Sequence, residues 1–286
     1  MTTRFHLLRW AAPLSLAIIL GATVQSRGED VSAWDKDTRS ALRLIAGLTS
    51  RNGDAVTLRA GIEMQLDPGW KTYWRYAGDS GLPPKFDLSG SENVKSATVL
   101  WPAPRRFPDG AGGNSIGYLG GVIFPVHIVA QDPAKPVTLR VKINYGVCEK
   151  ICVPAEGKAE LLLTAGPTSK ETALAAAEAQ VPKPVAPGGE GPLAIRAAHL
   201  KTSGERRRVI VDVTAPESAN VDLFAEGPTP RWSLPLPQPV GDATGRARRF
   251  AFDVDGVPPG ASILGARLTL TLVAGEQAIE VTTGLD

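Results

Sequence analysis

The sequence predicts an all-β protein, a β-sandwich followed by a second, smaller β-sandwich. Three observations carry this. Residues 55–66, "AVTLRAGIEMQL", alternate strictly: Val56, Leu58, Ala60, Ile62, Met64 and Leu66 fall on one face, and Thr57, Arg59, Glu63 and Gln65 on the other. A period of two is the mark of a strand with one face in a core. "VPKPVAPGGEGP" (Val181 to Pro192) then interrupts the chain with proline and glycine, as a linker does. From about Leu193, short strand-like segments return: "RRVIVDV", "VDLFAE", "RRFAFDV", "ARLTLTLVAG" and "QAIEVTTG". Gly and Pro turns separate them, the pattern of another sandwich.

The elements follow in chain order. Residues 1–26 place Arg4 and Arg9 around the start of an apolar run from Trp10 to Leu20, with Val24 and Ser26 near a cut. This is the layout of a cleaved secretory signal peptide, and the run is shorter than the roughly 20 residues that cross a bilayer. Cleavage removes two basic residues and no acid, so 31 basic against 29 acidic become 29 against 29. The exported chain is near neutral and has no basic run interleaved with aromatics, which argues against nucleic acid as a partner. No later stretch reads as a membrane span; the best, "SILGARLTLTLVAG", is short and carries Arg267. The expected division is signal peptide 1–26, first sandwich 27–166, short helix and linker 167–192, and second sandwich 193–286.

After the strand at 55–66 come two stretches dense in Gly, Pro and aromatics, residues 67–88 and 100–128; Trp70, Tyr73, Trp74 and Tyr76 cluster in the first. "TLRVKINY" is the next alternating strand, with Leu139, Val141, Ile143 and Tyr145 in phase, and "AELLLTA" (Ala159 to Ala165) the one after. Between them, in "YGVCEKICVPAEG", lie Cys148 and Cys152, the two cysteines of the chain. Exported cysteines usually pair. As a staple this pair would close a five-residue loop, worth only about 2 kcal/mol in the chain-entropy account. It therefore reads as a redox pair, as a thiolate site suited to copper(I), or as a passive clip in a non-enzymatic binding module. The copper reading lacks a His-rich or Met-rich tract, since Met64 is the one methionine beyond Met1. A thioredoxin motif is excluded, because that fold sets C-x-x-C at the start of a helix. "PTSKETALAAAEAQVPKP" predicts a helix with Thr168 and Glu171 as a capping box and Pro182 closing the segment. His127 and His199 stand apart from any ligand motif and read as structural or surface residues.

"PGWKTYWRYAGDSGLPP", "WPAPRRFP", "IGY" and "YGVCEKICVPAEG", in that order, resemble the N-terminal periplasmic domain of DsbD-type protein-disulfide reductases. The likeness is to the suppressor-of-copper-sensitivity (ScsB-like) branch, with its shorter C-x-x-x-C, and it covers residues 33–165 directly. It implies an immunoglobulin-like sandwich in the periplasm that performs thiol–disulfide exchange with no cofactor and no metal. It implies that Cys148 and Cys152 accept electrons from a membrane-embedded donor and pass them to thioredoxin-like periplasmic proteins. By position, Cys152 would be the cysteine joined to partners and Cys148 the resolving one. A cap is expected in "RRFPDGAGGNSIGY" (Arg105 to Tyr118), with Phe107 and Tyr118 as covering side chains and Trp74 and Tyr145 as docking aromatics. The membrane helices and thioredoxin-like domain of full reductases do not occur in this sequence, so the donor is expected to be a separate protein.

Overall fold

The computed structural model describes Met1 and residues 29–52, 55–109, 112–164, 166, 168–204 and 206–285. Beyond Met1, the segment expected to be a signal peptide lies outside the described residues. The first sandwich begins with β1 (Asp35–Asp37), β2 (Ser40–Ala46), β3 (Ser50–Asn52), β4 (Ala55–Leu66), β5 (Lys71–Gly78) and β6 (Lys85–Asp87). It continues with β7 (Val94–Val99), β8 (Arg105–Pro108), β9 (Asn114–Leu119), β10 (Gly121–Ala130), β11 (Val137–Cys148) and β12 (Cys152–Leu163). One sheet has the order β1-β2-β4-β10-β7, with β3 on β4; the facing sheet has the order β12-β11-β5-β9-β8, with β6 on β11.

Strand β11 shows why this architecture forms. Val137, Leu139, Val141, Ile143, Tyr145 and Val147 all point into the core and are at most 3% exposed. Burying one large apolar side chain contributes roughly 1.5–3 kcal/mol, so six in phase fix the face of the strand. A one-residue slip would turn the whole row to water. The other parity, which includes Gly146 and Cys148, must therefore face outward from the sandwich. That single constraint places the cysteines.

Helix α1 (Glu171–Ala179) packs on β10 with Leu174 and Ala177 buried. Its start differs from the expected capping box. Lys170 occupies the N-cap with no side-chain cap bond, and the buried Thr168 hydroxyl has no partner among the described residues. Glu171 instead accepts from the Arg59 guanidinium at 2.6 Å and from the Leu48 amide at 2.7 Å. An ion pair to the sheet has displaced the local cap. Arg59 also forks onto Glu178, which takes a hydrogen bond from His127 Nε2 at 3.1 Å. His127 is thus a structural residue that ties the helix to β10.

The second sandwich comprises β13 (Lys183–Pro184), β14 (Ala194–Ser203), β15 (Arg206–Thr214) and β16 (Val221–Glu226), then β17 (Gln238–Pro239), β18 (Ala247–Asp253), β19 (Arg267–Ala274) and β20 (Gln277–Gly284). Its sheets run β13-β20-β19-β16 and β14-β15-β18-β17. Val209, Val211, Leu268, Leu270 and Leu272 alternate into its core. Phe224 and Leu236 instead join the core of the first sandwich, with Phe224 5.8 Å from the Trp74 ring.

Candidate functional site: the disulfide at the end of a hairpin

The β11–β12 hairpin is unbroken from Val137↔Leu163 to Cys148↔Cys152, and a disulfide joins the last pair. The two cysteines differ. Cys148 is buried, at 5% exposure, while Cys152 is exposed. Tyr73, Ala77 and Cys148 form a small buried cluster of their own on the outer side of the sheet. The Tyr73 hydroxyl lies 2.9 Å from Cys152 Sγ. A disulfide sulfur carries no hydrogen, so the phenol donates. Burial, followed by the charge of Asp109, pushes the Tyr73 pKa up and keeps that proton in place.

Two glycines make room for the Tyr73 ring. A Cβ on Gly146 would come to 3.0 Å from Tyr73 Cε2, and one on Gly81 would come to 2.3 Å from Cε1. Gly81 also has a φ of +143°, a conformation that side-chain-bearing residues avoid. The turn carrying Gly81 is fixed to the hairpin by the Gly146 amide, which donates to the Leu82 carbonyl at 3.0 Å. On β5, Thr72 Oγ1 donates to the Gly146 carbonyl at 2.9 Å. Lys71, opposite Cys148 in the ladder and buried, donates to the Pro108 carbonyl at 3.3 Å. The 79–84 turn and the loop after β8 are joined in turn: Asn114 N donates to Asp79 at 2.8 Å and Gly113 N to Asp109 at 2.9 Å.

The aromatics expected to cover or dock are placed differently. Tyr118 faces the core, donates to the Pro102 carbonyl at 2.8 Å and packs edge-on to Phe124. Trp74 is fully buried, against Phe224. Tyr145 is in the core row of β11, with its hydroxyl 2.7 Å from Ser40 Oγ. Phe107 is partly buried and lies opposite Ser115, on the parity of Tyr73 and Cys148 and two strands from Tyr73. The cover over Cys148 comes from Tyr73 and Ala77, with the 79–84 turn packed against Tyr73 and Gly146; the segment 105–118 approaches through Pro108, which accepts from Lys71. The position of Tyr73 over Cys148 is not legible in the aromatic cluster at 70–76, because the register of β5 against β11 is a non-local fact. The available signal was Gly146, two residues before Cys148 and on the same parity.

Beside the hairpin tip a groove of about 430 Å³ is lined by Trp70, Val147, Ile151, Val153 and Pro154 together with the charged Asp37, Arg39, Glu149 and Lys150. Ile151 is 75% exposed. Among the described residues, no group of three or more His, Cys, Asp or Glu could hold a metal ion, and no helix is long and apolar enough to cross a membrane.

Residues 48–164 match the family described as thiol:disulfide interchange protein DsbD, N-terminal. These residues form a DsbD-type N-terminal domain. The crystal structure of the N-terminal periplasmic domain of ScsB from Proteus mirabilis superposes with a TM-score of 0.68 at 21% identity, covering 90% of this chain and 98% of that one. The shared fold thus extends beyond the DsbD-type domain into the second sandwich. No curated protein matches the chain.

Proposed function

We propose that this chain is a periplasmic thiol–disulfide exchange module. It takes electrons from a separate membrane reductase and passes them to thioredoxin-like periplasmic proteins, as a component of a protein-disulfide reductase system. The observation that supports this reading best is the asymmetry of the pair: Cys152 is open to solvent and Cys148 is closed beneath Tyr73. In the donating direction, the Cys152 thiolate attacks one sulfur of the partner's disulfide. A mixed disulfide forms, and the partner's other sulfur leaves as a thiolate. The Cys148 thiolate then attacks Cys152 Sγ, the intermolecular bond breaks, and the partner departs with both electrons as a dithiol. Cys148–Cys152 is again oxidised. Tyr73 donates to the sulfur that changes partners. Ile151, exposed next to Cys152 at the tip, gives a thioredoxin-like protein an apolar contact while the sulfurs meet.

The experiment is the reduction potential of the pair. A structural clip should lie below about −300 mV, whereas a working exchange pair lies above it. Equilibration of the full chain with a glutathione or dithiothreitol buffer measures this, and a value below that boundary removes the exchange reading.

A further inference from the structure

Tyr73 and Ala77 wall in Cys148, yet the residues between them belong to another part of the molecule. In the ladder with β9, Tyr73 is opposite Gly117 and Gly78 is opposite Ser115. Five steps along β5 match two along β9, so residues 74–77 bulge out of the sheet. Their own ladder does not hold them. The second sandwich does. Arg75 Nε lies 3.0 Å from both carboxylate oxygens of Glu226, and its Nη2 lies 2.7 Å from one of them. The same guanidinium reaches Glu280 and sits over the Trp74 ring. The Tyr76 hydroxyl donates to the Leu234 carbonyl. A second grip lies on β8: Arg106 forks onto Asp222 at 3.1 and 2.7 Å and donates to the Pro237 carbonyl at 2.9 Å. Two residues further on, Pro108 accepts the buried Lys71 ammonium. Both forks are partly buried and two-pronged, which is the geometry in which an ion pair fixes position.

We propose that the second sandwich is a clamp on the cover of the disulfide, with Arg75 and Arg106 as positioning residues. They hold Tyr73 and Ala77 closed over Cys148, so that an incoming thiol or disulfide meets Cys152 alone. The proposal gives the second sandwich a part in choosing the point of attack, and its importance rests on the exchange reading above.

The test uses the full chain with one cysteine at a time and needs no partner. Cys152→Ser leaves the Cys148 thiol, and Cys148→Ser leaves that of Cys152. Each thiolate attacks 5,5′-dithiobis(2-nitrobenzoate), forming a mixed disulfide and releasing one thionitrobenzoate, which is followed by its colour. Cys148 should react far more slowly than Cys152. Arg75→Met or Asp222→Leu should speed Cys148 by about tenfold or more, as expected for a local opening made easier by one or two lost anchors, with Cys152 changed by less than about twofold. Arg75→Lys, which keeps the charge without the fork, should recover part of the closure, and Glu226→Gln offers the same test with a milder change. Leu174→Ala, which loosens the first sandwich beneath α1, is the control and should leave the ratio of the two rates unchanged. An unchanged ratio in the clamp variants, or an equal shift in the Leu174→Ala control, overturns the proposal. The exchange reading can fail on its potential without moving this ratio, and the ratio can fail without moving the potential.

Discussion

Two long hairpins in this protein end in different ways. β19 and β20 are joined by Gly275 and Glu276, with Ala274 opposite Gln277 and Gly275 at a φ of +62°. A glycine at positive φ in the first position of a two-residue connection is ordinary turn chemistry, and the backbone itself closes the hairpin. β11 and β12 are joined by Glu149, Lys150 and Ile151, with no glycine and no residue at positive φ. There the disulfide closes the tip. The ladder below it is fixed independently by the buried row from Val137 to Val147. The closing bond is therefore separable from the fold, as the proposed exchange cycle requires. An apolar residue, Ile151, stands exposed at this tip, next to Cys152.

The sharpest way to break this comparison is to remove one sulfur at a time. With Cys148→Ser, the remaining Cys152 thiol should form a lasting mixed disulfide with a thioredoxin-like partner in the exporting cell, because the resolving thiol is gone. Cys152→Ser should trap nothing, since Cys148 lies under Tyr73 and Ala77. Non-reducing gels followed by mass spectrometry read the outcome. Equal trapping by both would overturn the assignment of roles.

Stability separates the two hairpins by a smaller margin. Reducing the disulfide releases a five-residue loop and should cost only about 2 kcal/mol. Gly275→Val forces a β-branched residue into the left-handed region and should cost roughly 1–3 kcal/mol in the second sandwich, without touching the disulfide. Denaturant melts of the oxidised, reduced and Gly275→Val proteins compare the three. A loss on reduction well beyond that of Gly275→Val would make the disulfide a structural staple after all.

What could be read in advance followed from local period. The alternation of β4 and β11 gave the strands, and the parity of Tyr145 with Val141 gave the core face; the Pro/Gly run at 181–192 hides a short strand, since Lys183 and Pro184 pair with β20. The cysteine hairpin was legible because both strands and both sulfurs lie within one short stretch. The cover was not. Which aromatic lies over Cys148 depends on how β5 meets β11 across more than 70 residues, and Val147↔Thr72 with Cys148↔Lys71 is a register that no local pattern encodes. Parity alone would have excluded Tyr145, which shares its face with Ile143 and Val147. The grip of Arg75 on Glu226 was hidden for the same reason: an arginine beside three aromatics carries no sign of a partner 151 residues away.

The smallest effect tests the two faces of one sheet with the same atom removed. Tyr145 Oη and Ser40 Oγ are 2.7 Å apart inside the sandwich, and Tyr73 donates to Cys152 on the outside. Tyr145→Phe leaves the ring in the core and strands one buried serine hydroxyl, a loss of about 1–2 kcal/mol. The rate at which the reduced protein reduces a thioredoxin-like acceptor should stay within about twofold, since nothing at the disulfide has moved. Tyr73→Phe should do the reverse. It removes the hydrogen bond to Cys152 Sγ, so the reduced protein should reduce the same acceptor more slowly, while stability changes little. Stopped-flow rates with that acceptor, beside denaturant melts, measure both. A slowed acceptor reaction in Tyr145→Phe with stability intact would restore Tyr145 as a docking residue and would mean that the hairpin tip opens far enough to expose its inner face.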